Sequence, residues 1–188
     1  VGSLELAADG LRLLVDGHGV VRKLWVDGRE LGAPAAERCG GFWAWDISKP
    51  ARYYRFLSTS SGPPSRKMRL KCPALGLAIE ATFTAHERFI QLDAQLEDLR
   101  RQDRGIVLVW ALPLDAAGMR WGDDLLSSRP IAEDGSYYNA WRYGPPGTGY
   151  RRLVSIFPWA CLYSREAGLL VGRPMDQPHA CLLYTSPS

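Results

Sequence analysis

The chain is poor in the residues that usually mark a chemistry at sight. Its 188 residues include three His, four Cys and three Met. No apolar run approaches the roughly 18 residues a spanning helix needs, so no membrane span is expected. Charge of one sign is lacking too: 23 Lys and Arg stand against 20 Asp and Glu, a net charge of +3. That balance leaves no basic footprint for a dedicated nucleic-acid binder. The chain has no P-loop, no G-x-G-x-x-G fingerprint, no G-x-S-x-G elbow and no H-E-x-x-H pair, so nothing points to a nucleotide, a serine nucleophile or any cofactor.

Cysteine is equally uninformative about metal. Cys39, Cys72 and Cys161 are far apart, with no C-x-x-C pair and no Cys/His cluster of the kind that wraps zinc. No metal site is expected. Scattered cysteines of this kind read as reduced, mostly buried thiols, with a single disulfide left open. The fourth, Cys181, opens a tail of a different kind. Cys181-Leu182-Leu183-Tyr184-Thr185-Ser186-Pro187-Ser188 reads like a translated sequencing adapter, so residues 181–188 are expected to be non-native and residues 1–180 an incomplete domain. The chain starts at Val1, and no compartment is readable from it.

What is present leans toward β-structure. Hydrophobic residues make up 46% and charged residues 23%, enough for one well-buried core, and 19 Gly with 13 Pro punctuate strands and turns more readily than helices. Asp9-Gly10, Asp16-Gly17 and Asp27-Gly28 interrupt short runs rich in Leu and Val between Leu4 and Leu31. Asp-Gly suits the positive φ angles of the type I′ turn, and no run between these turns is long enough for an ordinary helix. The spacing predicts a β-meander.

Further along, aromatic blocks occur at Phe42-Trp43-Ala44-Trp45-Asp46 and Tyr53-Tyr54-Arg55-Phe56, and Ser58–Pro64 reads as an exposed loop. In 66–71, Met68 and Leu70 alternate with Lys67, Arg69 and Lys71, which places the cations on the solvated face of a strand rather than around a phosphate. Residues 75–84 alternate with period two. Residues 86–101 fit either an amphipathic helix or a strand, and the strand agrees better with the runs on both sides. With Ile106–Leu112 this makes three consecutive strands. No linker or repeat divides the chain.

The segment from Trp110 to Tyr143 concentrates the candidate site residues: Trp121, Asp123, Asp124, Tyr137, Tyr138, Asn139, Trp141, Arg142 and Tyr143. Sugars offer C–H faces to aromatic rings and hydroxyls to carboxylates and amides, so such a mixture on loops suits carbohydrate. The competing reading makes these aromatics core or loop anchors. Asp123 and Asp124 are adjacent and point apart on a strand, so they form no convergent acid/base pair; a turn or cap suits them better. Asp46 reads either as a sugar-binding acid or as a loop residue accepting from nearby backbone N–H groups.

Three stretches together carry a family resemblance: G-L-R-L-L-V-D-G-H-G-V-V-R-K-L-W-V-D-G-R-E-L at 10–31, the strand pair 75–84 and 87–97, and R-G-I-V-L-V-W-A-L-P-L-D-A-A-G-M-R-W-G-D-D at 104–124. Their pattern resembles the N-terminal β-supersandwich domains of large glycoside hydrolases, related in fold to the galactose mutarotases. The resemblance implies an all-β, antiparallel β-sandwich truncated at its C-terminus, an accessory domain that packs on a missing C-terminal catalytic (β/α)8 barrel of the same chain. It implies carbohydrate contacts from Trp121, Asp123, Asp124, Tyr137, Tyr138, Trp141 and Tyr143, and no catalytic residue within this chain. Two alternatives remain. A free-standing aldose 1-epimerase would draw its acid and base from His86, His179, Glu80, Glu97 and Glu166, although no epimerase histidine motif matches; a non-enzymatic carbohydrate-binding or interaction sandwich needs neither.

Overall fold

The computed structural model describes residues 3–32, 40–59, 64–132, 135–139, 141–143, 152–154, 157–174 and 184–185. Among them there is no helix, and every paired strand is antiparallel. The chain is all-β, as its Gly, Pro and alternating apolar residues require. It divides into two compact units, Val1–Asp115 and Ala116–Ser188.

The first unit opens with the expected meander. Strands β1 (Ser3–Ala8), β2 (Leu11–Asp16), β3 (Val21–Val26) and β4 (Arg29–Glu30) form one sheet in chain order. Its turns differ in kind. Asp27 and Gly28 both have positive φ, 50° and 80°, as the type I′ turn demands, whereas at Asp9-Gly10 only Gly10 does. At Asp16-Gly17 the turn lengthens: the Asp16 carboxylate accepts from the N–H groups of His18 and Val20 and from Arg22 Nε, and the left-handed residue is Gly19. A side chain thus satisfies the backbone of the wider loop.

Strand β5 (Gly41–Asp46) pairs with β6 (Tyr54–Arg55) and, on its other side, with a later strand. Next come β7 (Leu57–Ser58), β8 (Lys67–Cys72), β9 (Leu77–Ala85) and β10 (Ile90–Asp98), which form a sheet in the order β10-β9-β8-β7. In β8 the Lys67, Arg69 and Lys71 side chains are exposed and Met68, Leu70 and Cys72 are buried. Residues 90–98 are a strand, paired without a break to β9 from Ile90↔Ala85 to Asp98↔Leu77. Strand β11 (Ile106–Ala111) does not continue that sheet but joins β5, giving the order β11-β5-β6. Trp110 brings the apolar faces together, its ring 6.4 Å from Phe42 and 6.2 Å from Phe83. Phe42, Phe56, Phe83, Leu70, Leu77 and Ile79 are almost fully removed from water, the main source of stability here.

The second unit is built from short strands: β12 (Arg120–Gly122), β13 (Arg129–Pro130), β14 (Tyr137–Tyr138), β15 (Trp141–Tyr143), β16 (Arg152–Val154), β17 (Trp159–Tyr163), β18 (Gly168–Gly172) and β19 (Tyr184–Thr185). The largest sheet has the order β13-β12-β17-β18; β14 pairs with β19 and β15 with β16. Its core is small, centred on Trp121, Tyr137, Ala160, Leu162 and Leu169. Within the tail, Tyr184 and Thr185 lie opposite Tyr138 and Tyr137. Cys72 and Cys161 are free thiols, each pushed up in pKa by burial. Cys39 lies outside the described residues.

Candidate functional site

In β5 the alternation of a strand sorts one aromatic block onto two faces. Phe42, Ala44 and Asp46 turn inward and are buried, while Trp43 and Trp45 are half-buried on the other face. The Arg55 guanidinium lies 4.5 Å above the Trp43 ring and covers it. Trp45 stays more open. Its ring leans against Tyr53 at 5.9 Å and 59°, and its Nε1 donates to the Lys49 carbonyl at 3.2 Å.

The turn after β5 is held by Asp46. Its Oδ1 accepts from Ser48 Oγ at 2.6 Å and Ser48 N at 3.1 Å, and its Oδ2 faces Lys49 Nζ at 3.7 Å and Arg104 Nη1 at 3.5 Å. The Ser48 hydroxyl and backbone N–H, together with the two cations, hold the Asp46 carboxyl below its ordinary pKa against the opposing effect of burial. Asp46 thus ends β5 and caps the turn after it by accepting from the Ser48 N–H, and it also lines a cavity.

That cavity, about 250 Å³, is bounded by Trp45, Asp46, Lys49, Pro50, Arg52, Tyr54 and Leu75. Arg52 places its guanidinium 5.0 Å over the Tyr54 ring. Two aromatic rings, one ionised carboxylate and two cations therefore share one small recess. This arrangement can receive an apolar ring face and donate from its two cations to hydroxyls around it.

The second unit treats the residues singled out in its sequence differently. Trp121 and Tyr137 are buried, at 4% and 8% exposure, with their rings 6.3 Å apart. The Tyr137 hydroxyl donates to the Pro130 carbonyl and accepts from the Ala132 N–H. Asn139 is also buried, and its Nδ2 donates to the carbonyls of Phe157 and Trp159. These three hold the unit together and present no free ring face or amide. Asp123 pairs with Arg129 at 3.3 Å, and Asp124 accepts from Leu126 N and Ser127 Oγ, shaping a turn. Tyr138, Trp141, Arg142 and Tyr143 lie on β14 and β15, and their side chains lie outside the described residues. A cavity of about 390 Å³ beside Arg120, Tyr163 and Glu166 carries a single aromatic ring.

The acids and histidines of the epimerase alternative are dispersed in their bonding. His86 stacks on Phe89 at 4.4 Å and meets Gln91 through Nε2. Glu80 pairs with Lys67, Glu97 with Arg69, and Glu166 accepts from the Ser164 hydroxyl. His179 lies outside the described residues. Among the described residues no three His, Cys, Asp or Glu side chains gather as metal ligands, and no helix is long and apolar enough to cross a membrane.

No family model, no curated protein and no solved structure matches the chain. The residues that sequence reading passed over are Trp45, Lys49, Arg52 and Tyr54. Their signal was there: two aromatic blocks flank Ile47-Ser48-Lys49-Pro50, and strand alternation alone puts Trp43 and Trp45 on the face away from Phe42.

Proposed function

We propose that the chain is a non-catalytic carbohydrate-recognition domain, an accessory part of a glycoside hydrolase-like protein whose catalytic barrel is a separate element. In this reading its sheets belong to an antiparallel β-sandwich of the galactose mutarotase-like kind. The observation that carries the proposal is the recess where the Trp45 and Tyr54 rings meet Asp46, Lys49 and Arg52. A pyranose ring stacks its C–H face on an indole and offers hydroxyl oxygens to the cationic donors Lys49 and Arg52, while Asp46, 2% exposed and bonded to Ser48 and Arg104, holds Lys49 at the rim.

Size supports a single sugar ring. The recess holds about 250 Å³, below the roughly 300–1,000 Å³ of sites for drug-sized ligands. The aromatic contact belongs at Trp45 rather than Trp121, because a ring at 4% exposure has no face left for a ligand.

Isothermal titration of the full chain with neutral hexose and pentose oligosaccharides tests the proposal. Binding that Trp45→Ala abolishes and Asp123→Asn leaves intact is the expected result. Binding unaffected by Trp45→Ala, or none with any saccharide tried, overturns it.

A further inference from the structure

Strand β10 is the edge of its sheet, and among the described residues no strand pairs with its outer side. The phase of its ladder follows from the two ends: His86 N donates to Phe89 O at 2.9 Å and Leu99 N donates to Gly76 O at 2.9 Å. In the unbroken register between them, Gln91, Asp93, Gln95 and Glu97 direct their backbone N–H and C=O groups toward β9. Leu92, Ala94 and Leu96 therefore direct theirs outward. Residues 93–97 are all exposed.

Of the usual protections of an edge this strand has only charge, at Asp93, Glu97 and Asp98. Over nine residues, Ile90-Gln-Leu-Asp-Ala-Gln-Leu-Glu-Asp98, it has no proline, no lysine and no bulge. Its apolar face continues the core face of β9, since Leu92, Ala94 and Leu96 stand opposite Phe83, Ala81 and Ile79. The β9 residues are buried, whereas Leu96 is 36% exposed. The apolar layer runs out at β10 before it is covered.

We propose that β10 pairs with β10 of a second copy of this chain, antiparallel across a twofold axis at Ala94, joining two sheets into one. The sequence is complementary to itself in that register. Leu92 meets Leu96 of the second copy on the apolar face and Ala94 meets Ala94. On the other face Asp93 meets Gln95 and Gln91 meets Glu97, so Asp93 and Glu97 each stand directly opposite a carboxamide, with Gln95 the donor to Asp93 and Gln91 already bridging to Asp93 of its own strand at 2.9 Å. Acid approaches acid only on the diagonal, at about 7–8 Å, and Glu97 already carries Arg69 at 3.2 Å. The pairs at 92/96 and 94/94 are the hydrogen-bonded ones, which use the outward N–H and C=O groups. A closed twofold contact of this kind uses up the β10 edge of both copies, so the same pairing cannot add a third copy.

Sedimentation of the full chain from micromolar to submillimolar concentration tests the proposal, with Ala94→Pro and Ala94→Lys as variants. The Ala94 N–H points away from β9, so proline there spares the sheet of the single copy but removes a donor at the axis. Lysine at this exposed position sets two cations against each other. The wild type is expected to form a dimer, and each folded variant to dissociate at least about tenfold more readily, equivalent to about 1.4 kcal/mol. Amide exchange adds a register-specific readout: Leu92, Ala94 and Leu96 gain protection with concentration, while Asp93 and Gln95 are protected throughout. A monomer at every concentration, an assembly larger than a dimer, or a dimer untouched by both variants overturns the pairing. So does dimerisation without protection at Leu92, Ala94 and Leu96.

Discussion

Arg104 donates from Nε to Oδ2 of Asp98 at 2.8 Å, with only 5% of its side chain exposed. The same guanidinium donates from Nη2 to the Leu75 carbonyl at 2.6 Å and from Nη1 toward Asp46 at 3.5 Å. One buried cation thereby ties the end of β10 to the turn after β5 and to the floor of the recess. Arg104→Met leaves two carboxylates without their shared partner and strands a carbonyl. It is expected to lower the melting temperature well beyond the effect of Arg69→Met, whose ion pair with Glu97 is exposed on both sides. Parallel thermal melts of the two variants check this.

The same cluster sets an acid limit on stability. Hydrogen bonds from Arg104 hold Asp98 below its ordinary pKa, and those from Ser48 do the same for Asp46. Between the depressed folded value and the ordinary unfolded one, near about 3.9, the unfolded chain binds more protons. The stabilisation is therefore present above about pH 4 and is lost as pH falls through the folded values. Melts between pH 7 and 3 should show this loss, and Asp98→Asn should start lower and change less over that range.

In the second unit Trp121 fills space rather than offering a surface. Trp121→Ala is expected to cost about 3–5 kcal/mol, as for other buried aromatic truncations. Trp121→Phe should cost far less, under about 1.5 kcal/mol, because the buried indole Nε1 has no hydrogen-bond partner among the described residues and nothing polar is lost with it. Chemical denaturation of the two variants measures the difference.

The turn glycines separate conformation from space. A methyl group at Gly28 meets nothing within 4 Å, yet its φ is +80°, so Gly28→Ala should destabilise by about 1–2 kcal/mol through backbone strain alone. Gly17 also has open space and carries no positive φ. Gly17→Ala should be neutral within about 0.5 kcal/mol.

Much of the first unit was legible because local signals and burial agree there. Asp27-Gly28 determines a turn, and the alternation of Lys67, Arg69 and Lys71 with Met68, Leu70 and Cys72 determines a face. Residues 86–101 fitted two periods, and the strand wins because nine residues find an uninterrupted partner in β9. Chain order misleads about pairing: β11 follows β10 yet joins β5, a long-range choice that no local spacing encodes. The site was harder to read for a related reason. Trp45 and Trp121 look alike as residues, and only packing makes one line a recess and the other fill a core.

The most direct test of carbohydrate recognition is the indole N–H signal of Trp45 in a two-dimensional ¹H–¹⁵N spectrum of the full chain, recorded as neutral oligosaccharides are added. Its hydrogen bond to the Lys49 carbonyl places this proton beside the recess. Carbohydrate recognition at the recess requires a saturable shift at Trp45 and at the Lys49, Arg52 and Tyr54 amides, with the Trp121 indole unmoved. A spectrum that stays unchanged, or one that shifts at Trp121 and not at Trp45, would contradict it.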